Sequence, residues 1–166
     1  MEAPVHVFHH LNQLLCRHRE VGRHATLLVG LIDRDGRLEY ISAGHPSPLL
    51  VRRCEVSELY TEGSLPLGLL PQAEYTTSRL QLEPEDTLVL FSDGITEAQD
   101  PKRRLFEVEG LKNAIGGCHG MPLESMQQSL LLAVQKFMCG DCQSDDITLL
   151  LVRYRTPEAC APNQVT

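Results

Sequence analysis

The chain has 166 residues, 42% hydrophobic and 22% charged, which is ordinary for one soluble globular domain able to bury a core. Its 15 Lys plus Arg against 22 Asp plus Glu give a formal charge of −7, and the basic residues cluster only at Arg52-Arg53 and Lys102-Arg103-Arg104. A nucleic-acid surface needs a positive field, so nucleic acid is excluded as an expected partner.

Apolar runs such as Leu130 to Val134 fall far short of the roughly 20 residues that a membrane-spanning helix needs. The start, Met1-Glu2-Ala3-Pro4, lacks the basic-then-apolar build of a secretory signal. A cytoplasmic protein with no membrane partner is the expectation.

In chain order, Val5 to Arg19 carries apolar residues at Val7, Phe8, Leu11, Leu14 and Leu15, with Pro4 suited to a first turn, and this spacing predicts an amphipathic helix. His6, His9, His10 and His18 on or near it read as surface or satisfied histidines. Thr26 to Ile32 and Arg37 to Ser42, joined by Asp33-Arg-Asp-Gly36, predict a β-hairpin. Its aspartates read as turn chemistry, because the other ligand positions of a calcium loop are missing.

Short strands are expected at Pro48 to Arg52, Val56 to Thr61, Tyr75 to Leu82 and Thr87 to Phe91, forming an antiparallel meander punctuated by Gly63, Pro66, Gly68, Pro71 and Pro84. Helices are expected from Glu107 to Ile115 and, after Met121-Pro122, from Leu123 to Phe137. A strand from Ile147 to Tyr154 closes the domain, and the tail after Thr156 is expected to fray. This order of elements argues for an α+β sandwich with helices covering antiparallel sheets.

The cysteines, six in all, are scattered and read as reduced thiols. Cys139-Gly-Asp-Cys142 is one C-x-x-C without a second ligand pair, which is weak ground for zinc or redox chemistry.

The chemistry-bearing residues are carboxylates. Asp93 follows the strand Thr87 to Phe91, while Asp145 and Asp146 precede the strand Ile147 to Val152. Antiparallel pairing of those strands would bring the carboxylates to one sheet edge. Carboxylate oxygens suit Mg²⁺ and Mn²⁺, and paired cations polarise a phosphoryl oxygen and activate a water for attack. Spacing alone leaves the plainer reading open, in which Ser92-Asp-Gly94 is a turn and Ser144-Asp-Asp146 a strand entry.

A series of motifs carries a resemblance: Leu11-Asn12, Ala25-Thr26-Leu27, Ser42-Ala-Gly-His-Pro46, Leu65-Pro-Leu-Gly-Leu69, Leu88-Val-Leu-Phe-Ser-Asp-Gly-Ile-Thr-Glu97 and Asp145-Asp-Ile-Thr148. In this order they resemble the SpoIIE/RsbU-like phosphatases of the protein phosphatase 2C-like (PPM) class, from about Val5 to Val152. The resemblance implies a four-layer αββα sandwich and a binuclear Mn²⁺ or Mg²⁺ site that dephosphorylates phosphoserine or phosphothreonine. It implies a phosphoprotein substrate of the kind represented by anti-sigma-factor antagonists. Asp93 and Asp145 map onto metal ligands, and Asp146 onto a neighbouring position that orients water or a ligand.

Gly94 is expected to give a tight turn, His45 to shape a loop, and Glu97 either to assist the site or to favour a helix N-terminus. The resemblance also implies ligands in Gly-Asp-x-x-Asp and Asp-Val-x-Gly-His-Gly motifs, and neither occurs in the sequence. Residues 1–155 are therefore expected to form an N-terminally incomplete phosphatase domain followed by a disordered tail, 156–166. The incomplete domain is expected to have little activity alone and to associate through exposed sheet edges. The alternative is a non-catalytic phosphatase-fold module that binds a regulatory partner.

Overall fold

The computed structural model describes residues 3–17, 24–61, 65–118, 120–139 and 146–156. The helix α1 (Ala3–Arg17) leads into a hairpin, β1 (Leu27–Ile32) and β2 (Arg37–Ala43). Then come β3 (Leu49–Arg52), β4 (Glu55–Glu58), β5 (Ser78–Gln81), β6 (Thr87–Phe91), the single-turn α2 (Asp93–Thr96), α3 (Glu107–Gly116), α4 (Leu123–Met138) and β7 (Leu149–Arg153). Thr87–Phe91 coincides with its expected strand, and the other elements start or stop within a few residues of theirs. His18 and the end of the expected first helix lie outside the described residues, as do Cys142, Gly63 and all of the tail beyond Thr156.

The expected meander is corrected. The strands divide into a three-stranded sheet, β1-β2-β5, and a four-stranded sheet, β4-β3-β6-β7, every pair antiparallel. The chain changes sheet after β2, after β4 and after β5. Local pattern identifies strands but not their partners, because pairing is decided by which faces find an apolar neighbour.

That choice is visible in the alternation of side chains. Leu38 and Tyr40 of β2 face Leu50 of β3 and Leu88 of β6 in a core between the sheets. Ile41 and Ala43 of β2 face the other way, onto Phe8 of α1 together with Leu67, Ala73 and Tyr75. Val89 and Phe91 of β6, with Leu49 of β3, pack against Ile95, Leu111, Leu130 and Val134 of the C-terminal helices. Three apolar layers thus separate four layers of structure, α1, sheet, sheet and α3/α4, which is the αββα order.

Turn chemistry fits the hairpin. The Asp33 carboxylate accepts from the Asp35 and Arg37 amides, both at 2.9 Å, and Gly36 supplies the left-handed residue at φ +80°. At the far end of the four-stranded sheet the buried Asp86 is paired with Arg52, Nη2 to Oδ2 2.6 Å, and also accepts the Glu83 amide at 2.7 Å.

α1 is fastened by a polar residue inside its apolar stripe. Asn12, 1% exposed, donates from Nδ2 to the Leu70 carbonyl at 2.9 Å and accepts the Gly68 amide on Oδ1 at 2.8 Å. The 65–71 loop is thereby tied to the helix. Asn12→Ala leaves the Gly68 amide and Leu70 carbonyl without that partner and is expected to lower stability by about 1–3 kcal/mol in urea unfolding monitored by circular dichroism.

Candidate metal centre

The end of β6 and the approach to β7 are bound together by one side chain. β6 and β7 pair in register from Thr87↔Arg153 to Phe91↔Leu149, so the residues just past Phe91 meet those just before Leu149. There the Ser92 hydroxyl donates to the Asp146 carbonyl at 3.0 Å and accepts the Thr148 amide at 2.9 Å, while the Ser92 amide donates to the Thr148 carbonyl at 3.1 Å. Ser92 occupies the N-cap position of α2 yet makes no capping bond with its side chain. Its hydroxyl is committed to the neighbouring segment instead.

Asp93, the first residue of α2, and Asp146 are both exposed and are held on this common sheet edge. Asp145 lies outside the described residues. Gly94 is buried in α2, and its expected role as a tight-turn glycine is corrected: it has no left-handed backbone and sits within one helical turn. Glu97 stands at the C-cap of α2, its amide bonding the Asp93 carbonyl at 2.8 Å, so its reading as an acid favouring a helix N-terminus is also corrected. A helix of four residues shows no periodicity from which its ends could be read.

A second loop reaches the same end of the molecule. Gly44, at φ +68°, packs so closely on Pro66 that an added Cβ would lie 2.5 Å from the proline Cγ. Only glycine permits both the backbone angle and the contact. The loop is closed by Ser42, whose hydroxyl donates to the His45 carbonyl at 3.3 Å. The His45 Nδ1 lies 3.5 Å from the Thr26 hydroxyl. Ala25 in turn exchanges two backbone bonds with Leu67, at 3.0 and 2.8 Å.

Burial holds the His45 imidazole below its usual pKa, and the Asp93 carboxylate pulls it the opposite way. His45 and Asp93 therefore share one electrostatic neighbourhood although they come from different sheets. The motifs around Asn12, Thr26, His45, Leu67 and Asp93 are parts of one assembly.

Asn12, Thr26 and Ser92 stand in the sequence motifs without an expected role of their own, whereas Asp93 and His45 had one. Ser92 was signalled by a hydroxyl placed between a strand end and an acid. The sequence signal for Asn12 is a polar residue in the apolar stripe, one helical turn from Phe8 and from Cys16.

The donor chemistry is all oxygen, which suits a hard divalent cation. Among the described residues, no group of three or more His, Cys, Asp or Glu side chains is placed to hold a metal.

A family model described as Stage II sporulation protein E (SpoIIE) matches residues 2–155. The chain belongs to the SpoIIE family. The likeness extends to protein IcfG of Synechocystis sp., 28% identical over 142 residues, which are 83% of this chain and 22% of IcfG. Phosphoserine phosphatase RsbP of Bacillus subtilis is 26% identical over 144 residues, 86% of this chain and 34% of RsbP. Among solved structures, the SiaA-PP2C domain of Pseudomonas aeruginosa superposes with a TM-score of 0.78 at 19% identity, covering 90% of this chain and 60% of that one.

The SpoIIE-family chain therefore has the PP2C-type fold and spans about a third or less of the curated relatives it matches. No helix among its described residues is long and apolar enough to cross a membrane.

Two outcomes test this geometry. Ser92→Ala is expected to cost about 1–2 kcal/mol and to speed hydrogen exchange at the Thr148 amide, which loses its acceptor. Asp93→Asn removes the group that raises the His45 pKa, so an NMR titration of the imidazole is expected to move to lower pH.

Proposed function

We propose that this chain carries the catalytic edge of a metal-dependent phosphoprotein phosphatase acting on phosphoserine or phosphothreonine. The observation that carries the reading is the exposed Asp93 carboxylate, fixed beside Asp146 by the Ser92 bonds at the β6–β7 junction. Family membership supplies the reaction class, and RsbP is itself described as a phosphoserine phosphatase.

In this reading Asp93 and Asp145 would hold Mn²⁺ or Mg²⁺, with Asp146 orienting water or a ligand beside them. Such a cation, when bound, supplies Lewis-acid polarisation of the phosphoryl oxygens and lowers the pKa of bound water. The chain's own contribution is positional. Ser92 fixes the spacing of the two acidic segments, and Gly44 with Pro66 holds the His45 loop over the same end.

A half-buried neutral imidazole beside the site provides a hydrogen-bonding group without adding a second positive charge. The substrate on this reading is a signalling phosphoprotein resembling an anti-sigma-factor antagonist, and residues 1–155 form the phosphatase unit. Cytoplasmic placement goes with such a substrate.

A second reading is a binding module without catalysis, in which the same edge receives a phosphoprotein but does not turn it over. Hydrolysis of a phosphoserine peptide with Mn²⁺ separates the two. The first reading expects phosphate release that stops on chelation and falls by on the order of a hundredfold or more in Asp93→Asn. Binding of the phosphopeptide without turnover would establish the second reading instead.

A further inference from the structure

The four-stranded sheet has a second end, opposite the one that carries Asp93. There Val56 of β4, Val51 of β3, Thr87 of β6 and Arg153 of β7 fall in one row across the sheet, each opposite the next in the strand registers. All four border a single cavity of about 250 Å³. Its other wall is made by Ile115 near the end of α3, by Cys118 and by Met126 of α4, so the cavity lies between the sheet and its own covering helices. The length of β6, about 14 Å at the usual strand rise, separates this row from the acidic edge.

The lining is apolar with one charge. Val51, Val56, Ile115 and Met126 supply the apolar surface, and Arg153 supplies the charge. The Arg153 side chain is only 14% exposed. Its Nε donates to the Thr87 hydroxyl at 2.9 Å and its Nη1 to the Met121 carbonyl at 3.1 Å, which fixes the plane of the guanidinium. Among the described residues its Nη2 has no acceptor. The carboxylate paired with it, Glu85, stands 4.0 Å away, is 64% exposed and is shared with Arg155 at 3.5 Å. The cavity wall therefore holds an oriented, largely shielded cation with donors to spare.

The rim is the two-residue turn between β3 and β4. Arg53 and Cys54 stand there at φ 52° and 146°, left-handed backbone that favours glycine, yet both place side chains on the cavity. β4 is the edge of the sheet opposite β7, so the rim lies away from the β7 edge.

We propose that this cavity is a binding site for a small organic monocarboxylate, its apolar body lying between the sheet row and Ile115 and Met126, and its carboxylate taken by Arg153. A carboxylate matches the planar fork of a guanidinium. One guanidinium compensates one negative charge, whereas a dianion such as a phosphate ester would leave a charge shielded from water and unpaired. The volume falls below the roughly 300–1,000 Å³ of drug-sized pockets, which limits the apolar body to a short chain or one ring. The inference uses neither Asp93 nor a metal, and it stands whether or not the chain hydrolyses a phosphoprotein.

Titration of the isotopically labelled 166-residue chain with hexanoate, followed by NMR of its amides and methyl groups, tests it beside the same titration with neutral hexanamide. The expected result is saturable shifts centred on Val51, Val56, Ile115 and Met126, in the millimolar range that about eight non-hydrogen atoms support, and about tenfold weaker for the amide. Val51→Phe, which fills the cavity, and Arg153→Gln, which removes its charge, are both expected to abolish the hexanoate shifts while circular dichroism shows a folded chain. Shifts that do not saturate, that centre elsewhere or that are equal for acid and amide would overturn the proposal, as would binding untouched by either variant. Should both variants fail to fold, the comparison of acid with amide on the unaltered chain decides.

Discussion

The antiparallel pairing of β6 with β7 is the constraint on which the candidate site depends. These strands are far apart in sequence, and α2, α3 and α4 all lie between them. Only their closure into one sheet returns Asp146 to Asp93. The pairing is secured on its helix face by Val89 and Phe91 against Leu111, Leu130 and Val134. At its tip it is secured by Ser92, which bonds both Asp146 and Thr148. A buried apolar layer thus fixes the strands, and a short polar stitch fixes the acids.

The second sheet contributes through its loops. α1 grips the 65–71 segment through Asn12, that segment presses Pro66 on Gly44, and the Gly44 loop carries His45 into the field of Asp93. Each link is a specific contact between segments distant in sequence. The density of motifs in one chain therefore has a mechanical explanation: several of them hold others in place.

The legible parts of the fold were those with strong local signals. Thr87–Phe91 is bounded by Pro84 on one side and Ser-Asp-Gly on the other, and α4 is long and periodic, so both were read closely. Assignment of strands to sheets was not legible, because β5 and β3 are similar short segments whose partners depend on the whole packing. The single turn of α2 was too short to show a period, so the place of Glu97 at its C-cap was not legible and only one of the two roles open to it, assistance to the site, is compatible with the structure. Asp93 and Asp146 could be placed on one edge in advance because a strand's end and another strand's start meet in any antiparallel pair.

The central claim is that Asp93 anchors a divalent cation at the β6–β7 junction. The direct measurement is a titration of the isotopically labelled chain with Mn²⁺, following paramagnetic broadening of its backbone amides by NMR. The account predicts broadening centred on Ser92 to Ile95 and Asp146 to Thr148, extending to His45, and abolished by Asp93→Asn. Broadening centred elsewhere, or undiminished by that substitution, would contradict it.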